Sequence, residues 1–114
     1  EIMDLEVSDM SGVTKAVLGG RLDTNAVNQL EARFSASVLA SGQNAIIDLA
    51  NVSFIASLGI RMMLSTARAL AGRGARLALF GANPAVMEIM ETTALSDIIP
   101  VLSTESEAVA AVTA

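Results

Sequence analysis

Histidine and cysteine are absent from this 114-residue chain, and so are tryptophan and tyrosine. Without the first two, the usual nucleophile–base pairs and most metal sites cannot be assembled. No disulfide framework can form, which is compatible with a reducing cytoplasm. Aromatic residues amount to 3%, all phenylalanine, so no platform is available on which bases or sugar rings could stack. Positive charge is scarce as well. One lysine, Lys15, and six arginines stand against twelve acidic residues, for a formal net charge of −5. That is the wrong balance for a protein that neutralises nucleic-acid phosphates. Long apolar runs are missing too. The longest uncharged stretch, 34–47, is shorter than the roughly 20 apolar residues that span a bilayer, and it carries Ser35, Ser37, Ser41, Gly42, Gln43 and Asn44. No transmembrane helix and no secretory signal are expected.

What is present is aliphatic. Hydrophobic residues make up 53% of the chain, so a core must be built from Val, Ile, Leu, Met and Ala, a mixture that suits close packing of helices on a sheet. The length fits one domain, 1–114, with a modest core of its own.

The most informative stretch is Asn44 to Leu64. The apolar run Ala45-Ile46-Ile47 leads through Asp48-Leu49 to a second run at Val52-Ser53-Phe54-Ile55, and this reads as a buried strand. From Ile60 the apolar residues recur at 60, 63, 64, 67 and 71, the spacing of one helix face. Ser57 sits at the junction, where its hydroxyl is placed to cap the helix. A phosphate there would meet unpaired amides and the positive end of the helix dipole. Gly59 leaves the approach to the serine unobstructed. Projected at 100° per residue, Ile60, Met63, Leu64, Ala67, Leu70 and Ala71 face inward. Ser57, Arg61, Ser65 and Arg68 form a polar stripe, and Leu58, Met62 and Ala69 point away from the core. An outward Leu58–Met62 pair beside the serine is expected to be a contact surface, with Met62 adaptable in it.

The rest of the chain supplies one element after another. Residues 2–8 and 13–19, around Ser11-Gly12, read as a hairpin, and Gly19-Gly20 loosens the chain before Leu22. Asp23 or Thr24 caps a helix whose inner face is Val27, Leu30, Phe34 and Val38 and which ends near Ser41-Gly42. After the central strand and helix comes Gly72-Arg73-Gly74, then a buried strand at Arg76 to Phe80. Asn83-Pro84 starts a helix through Val86, Ile89 and Met90. Ile98 to Leu102 reads as a short strand that Pro100 confines to an edge. Thr104 and Glu107 have capping-box spacing ahead of a terminal helix. A hairpin followed by alternating helices and strands predicts an α/β fold, with two strand–helix units forming right-handed parallel crossovers.

The pattern carried by Asp48, Leu49, Val52, Phe54, Ile55, Ser57 and Gly59, with Gly20-Arg21-Leu22-Asp23 before it, resembles the motifs of STAS domains. These are found in bacterial anti-sigma factor antagonists and in the cytoplasmic tails of sulphate transporters. The resemblance implies a mixed, mostly parallel sheet of about four to five strands with three to four helices on it. It also implies a cytoplasmic, non-enzymatic function. Ser57 would be phosphorylated by a partner, an anti-sigma factor serine kinase that brings its own ATP and Mg²⁺, and a serine phosphatase would reset it. Unphosphorylated, the protein would bind that kinase and release a sigma factor. The partner-binding set is then Asp23, Ala56, Leu58, Gly59, Arg61 and Met62. Two positions depart from the family pattern, which usually has Asp at the place of Ala56 and Ser or Thr at that of Leu58. The alternative is a STAS-like interaction subunit of a transport or signalling complex that is not phosphorylated.

Catalytic motifs do not compete with this. Ala56-Ser57-Leu58-Gly59 lacks the leading glycine of a nucleophile elbow. Gly81-Ala82-Asn83-Pro84 lacks the spacing and the lysine of a phosphate-binding loop. A carboxylate pair of Asp23 and Asp48 would be needed for hydrolysis, yet Asp48 falls inside a strand signal. No cofactor and no metal are expected.

Overall fold

In the computed structural model, which describes residues 4–114, the tightest turn is also the most local in origin. Ser11 and Gly12 have φ of 54° and 96°, the doubly positive turn that matches the twist of a two-residue hairpin. It joins β1 (Asp4–Met10) to β2 (Val13–Leu22), paired antiparallel from Met10 with Val13 to Asp4 with Gly19. The hairpin expected from residue 2 is present, and Ile2 and Met3 lie outside the described residues. Gly19-Gly20 does not end β2. The strand runs on to Leu22, with irregular pairing around these glycines and Gly20 at φ 104°, a backbone excursion that only glycine adopts cheaply.

The helices begin where short-range chemistry places them. Asp23 accepts a hydrogen bond from Ala26 N at 2.9 Å and caps α1 (Thr24–Leu39), which buries Val27, Leu30, Phe34 and Val38 together with Ala26. β3 (Ala45–Ile55) is followed by α2 (Ser57–Ala71) and β4 (Leu77–Phe80). Asn83 caps α3 (Pro84–Thr92), with Pro84 opening the helix, and a single 3-10 turn spans Leu95–Asp97. β5 (Val101–Leu102) is only two residues long, and α4 (Glu105–Thr113) starts in a complete capping box between Thr104 and Glu107.

The strands lie in chain order, β1-β2-β3-β4-β5, antiparallel for the first pair and parallel for the rest. Crossovers of one hand, advancing one strand at a time, put their helices on one face. α1, α2 and α3 accordingly share a core cluster that includes Ile47, Leu49, Leu77 and Leu79. The alternate residues Ile46, Ala78 and Phe80 face the other way and pack under α4, against Ala108 and Val112. Period-two alternation in β3 and β4 therefore feeds two cores from one sheet. Five strands and four helices realise the α/β, mostly parallel architecture expected.

Candidate functional site

Three parallel strands in a row bring their strand-to-helix junctions to one end of the sheet, beyond the carboxyl ends of β2, β3 and β4. Here the junctions are tied together by hydrogen bonds. Ala56 N donates to Leu22 O at 2.9 Å, so the start of α2 sits beside Asp23 and the start of α1. Asn83 Oδ1 accepts from Val86 N at 2.8 Å, while its Nδ2 donates to Val52 O at 3.1 Å. One side chain thus caps α3 and clamps it to β3.

Ser57 is exposed at the head of α2, but it does not cap it. Ala56 occupies the cap position in extended conformation, φ −88° and ψ 169°, with no side-chain hydrogen bond. The helix starts one residue earlier than expected because the Ala56 carbonyl already accepts from Ile60 N at 3.0 Å. The consequence is chemical. The first turn of α2 contains no acidic residue and no side-chain cap, so its amides and the positive end of its dipole are uncompensated. Among the described residues, the Ser57 hydroxyl has no hydrogen-bond partner.

The other expected contact residues divide sharply. Asp23 is half-buried as the α1 cap, Ala56 is half-buried, and Arg61 is exposed. The stripe of Ser57, Arg61, Ser65 and Arg68 is on the surface as projected. Met62 is not. It is 0% exposed and belongs to the core, and Leu58 is half-buried against the same cluster. The outward Leu58–Met62 pair does not exist, because α2 packs against α1 as well as the sheet. A second neighbour widens the buried arc toward Met62 and Thr66. Thr66, 1% exposed, satisfies its hydroxyl on Met62 O at 2.9 Å, which is how a polar residue fits the inward face.

Gly59 also faces inward rather than toward the serine. A Cβ there would stand 2.9 Å from Ile55 Cγ1 and 3.0 Å from Leu22 Cγ. Gly59→Ala gains about 1 kcal/mol of helix propensity, against overpacking of roughly 1–3 kcal/mol. The expected net result is a loss of about 1 kcal/mol, read as a lower urea midpoint with unchanged slope. A raised midpoint would show that Leu22 and Ile55 give way freely.

Arg21 and Phe54 were not singled out by sequence reasoning as site residues, and they belong to this end. The two are register partners across β2 and β3, and the Arg21 guanidinium stacks 4.4 Å from the Phe54 ring centre. Its Nε lies 3.8 Å from Asp23 Oδ2. Both groups are about half exposed in that pair, so it orients more than it stabilises. The signal missing from the sequence is the pairing itself, which depends on the irregularity near Gly20. Asp48, by contrast, lies level with the end of β4 and is remote from the β3–α2 junction. It accepts from Ala50 N at 2.9 Å within β3 and pairs with Phe80 on the α4 side. Seven residues of strand, about 23 Å, separate it from the junction, so no carboxylate pair with Asp23 is formed.

Comparison with known proteins decides the family. The model of the STAS domain matches residues 5–108. The chain is a STAS domain. Family membership makes it a regulatory binding module rather than an enzyme. It is 30% identical over 109 residues to the Bordetella bronchiseptica protein BtrV, named as a candidate anti-sigma factor antagonist, with 96% of this chain and 94% of that protein covered. Among solved structures, it superimposes on an anti-sigma factor antagonist from Mycobacterium paratuberculosis with a TM-score of 0.86, at 24% identity over 98% of this chain and 95% of that one. SpoIIAA, an anti-sigma factor antagonist solved in unphosphorylated form, matches with a TM-score of 0.75 at 25% identity, over 93% of each chain. The STAS motif thus sits in this chain at the junction of β3 and α2. Among the described residues of this STAS domain, no helix is long and apolar enough to cross a membrane.

Proposed function

We propose that this STAS domain is an anti-sigma factor antagonist whose binding is switched by phosphorylation of Ser57. Unphosphorylated, it binds an anti-sigma factor that is also a serine kinase, and the sigma factor is released. The observation that carries the reading is the setting of Ser57: an exposed hydroxyl on an uncapped, acid-free helix start, beside Asp23 and flanked by Arg61. A phosphate would add close to two negative charges. The fold would accept it, since the start of α2 favours anions, and Arg61 is one turn away and able to pair with it. A partner surface shaped for the neutral serine would reject it.

Arg61, Ala56 and Leu58 frame the contact, while Gly59 and Met62 support it from beneath. ATP and Mg²⁺ belong to the kinase, and a serine phosphatase completes the cycle. Relatives named anti-sigma factor antagonists support the class. Incubation with its anti-sigma factor kinase, ATP and Mg²⁺ is expected to add one phosphate, mapped by peptide mass spectrometry to Ser57 and absent from Ser57→Ala. Phosphate on another residue, or none, would sink the switch. A second reading, a constitutive subunit of a transport complex, is favoured by Ala56 and Leu58, which replace the usual acidic and hydroxyl neighbours. It predicts tight partner binding that kinase treatment leaves unchanged.

A further inference from the structure

Among the described residues, two large apolar side chains are left exposed, one toward each edge of the sheet: Val7, at 37%, and Ile98, at 63%. Ile98 is held outward rather than left loose. After the 3-10 turn, Leu95 and Ile99 are both 1% exposed, and Ile98 N and Ile99 N both donate to Leu95 O at 2.9 Å. Two buried anchors therefore fix the backbone on either side and present Ile98 to solvent.

Directly beside it is a groove of about 270 Å³, lined by Ala67 and Ala71 of α2, Leu77 at the start of β4, Ile98 and Ile99, and Ala111 of α4. One patch thus holds an aliphatic knob and an apolar hole. It also holds both signs of charge. Asp97 is exposed next to the knob, and Arg76 is exposed on the rim of the groove. Among the described residues, neither forms an ion pair. Arg76 is positioned by Nη1, which donates to Ala114 O at 2.8 Å, leaving its other guanidinium donors for a carboxylate.

A surface with knob and hole, anion and cation, side by side is the kind that meets itself across a two-fold axis, where residue i contacts j and j contacts i. We infer that this face binds a second copy of the chain. Ile98 of each protomer enters the groove of the other, and Asp97 of each meets Arg76 of the other. The area is small against the roughly 800 Å² per partner of a stable complex, so the dimer is a transient one. The patch lies at the far end of α2 from Ser57, about 20 Å along the helix. Self-association therefore leaves both Ser57 ends free, and the assembly would offer two partner sites pointing apart.

The test is sedimentation equilibrium on the full chain between about 10 µM and 1 mM, a range that spans the dissociation constants of weak complexes. The expected result is a monomer–dimer equilibrium whose dissociation constant rises at least tenfold in Ile98→Asp, and also in Arg76→Glu. Combining Arg76→Glu with Asp97→Arg, which restores complementarity in the swapped sense, is expected to bring the dimer back. Circular dichroism confirms that each variant is folded. A chain monomeric throughout the range overturns the proposal, as does a dimer indifferent to Ile98→Asp. A double variant no better than Arg76→Glu alone overturns the charge pairing. Ser57→Ala should leave the dimer unchanged, so the outcome is independent of the phosphorylation switch.

Discussion

Met62→Ala is expected to destabilise the domain by about 2–5 kcal/mol, lowering the midpoint of thermal unfolding by roughly 10–20 °C for a domain of this size. The side chain is 0% exposed, inside the cluster shared by α1, α2, α3 and the sheet. Its removal takes away transfer free energy and leaves a cavity that the surrounding core fills only in part. Alanine's slightly better helix propensity returns a few tenths of a kcal/mol at most. The loss is a large share of a total stability of about 5–15 kcal/mol. Arg61→Ala, the exposed neighbour on the same turn, should stay within about 0.5 kcal/mol of wild type. Thermal denaturation followed by circular dichroism compares the two directly. If they melted together, Met62 would have to be on the surface and the packing of α2 described above would be wrong.

The rotation of α2 shows where sequence patterns lose information. Helical periodicity reports the face toward one apolar neighbour, and of its inward residues Ile60, Met63 and Leu70 are buried, Leu64 and Ala67 are half-buried, and Ala71, at the helix end, is exposed. Periodicity cannot report that α1 lies alongside. That second neighbour draws in Met62 and Thr66, while Gly59 is seated on Leu22 of β2 and Ile55 of β3; a hydropathy count treats Gly59 and Thr66 as indifferent or polar. The same limit explains β2. Gly19-Gly20 is a local breaker signal, and pairing on both sides, with Asp4 in β1 and Asn51 in β3, overrides it. Elements set by neighbouring residues were mostly legible: the Ser11-Gly12 turn, the cap of α1, where Asp23 rather than Thr24 serves, Asn83-Pro84, and the box of Thr104 and Glu107; the cap assigned to Ser57, which falls on Ala56, is the exception.

The family motif itself turns out to be mostly a packing signature. Leu49, Val52, Ile55 and Gly59 are buried, and Asp48 and Phe54 are half-buried. Of the motif's side chains, Ser57 alone is exposed. What the motif guarantees is the seating of α2 against β2 and β3, through Gly59 on Leu22 and Ile55. That seating brings the serine to the sheet's carboxyl end beside Asp23. The chemistry at that end depends also on Arg21, at the variable place of the Gly20–Asp23 stretch, and on Arg61, whose positions follow from strand register and helix rotation.

Ser57→Asp is expected to weaken binding to the cognate anti-sigma factor by at least about 100-fold, close to 2.7 kcal/mol, while leaving the fold intact. The two halves of that statement come from one place. A carboxylate at the first position of α2 meets an uncapped helix start whose own first turn holds no acidic residue, which favours it by about 0.3–1 kcal/mol, while Asp23 across the junction opposes it; the melting temperature should stay close to that of wild type. At the interface the same charge must be desolvated against a surface that had accepted a neutral hydroxyl, and a misplaced charge there costs several kcal/mol. Ser57→Asn separates charge from size, being as large as Asp and neutral, and should bind within a few-fold of wild type. Ser57→Ala should bind as well as wild type and be blind to the kinase. Isothermal titration calorimetry at two salt concentrations adds a further check, because a penalty of charge shrinks as screening grows whereas a steric one does not. Equal affinity for wild type and Ser57→Asp would leave Ser57 with no part in partner choice. Aspartate carries one charge where phosphoserine carries nearly two, so the phosphorylated protein should bind more weakly still, and that ordering is what a charge-operated switch at the head of α2 requires.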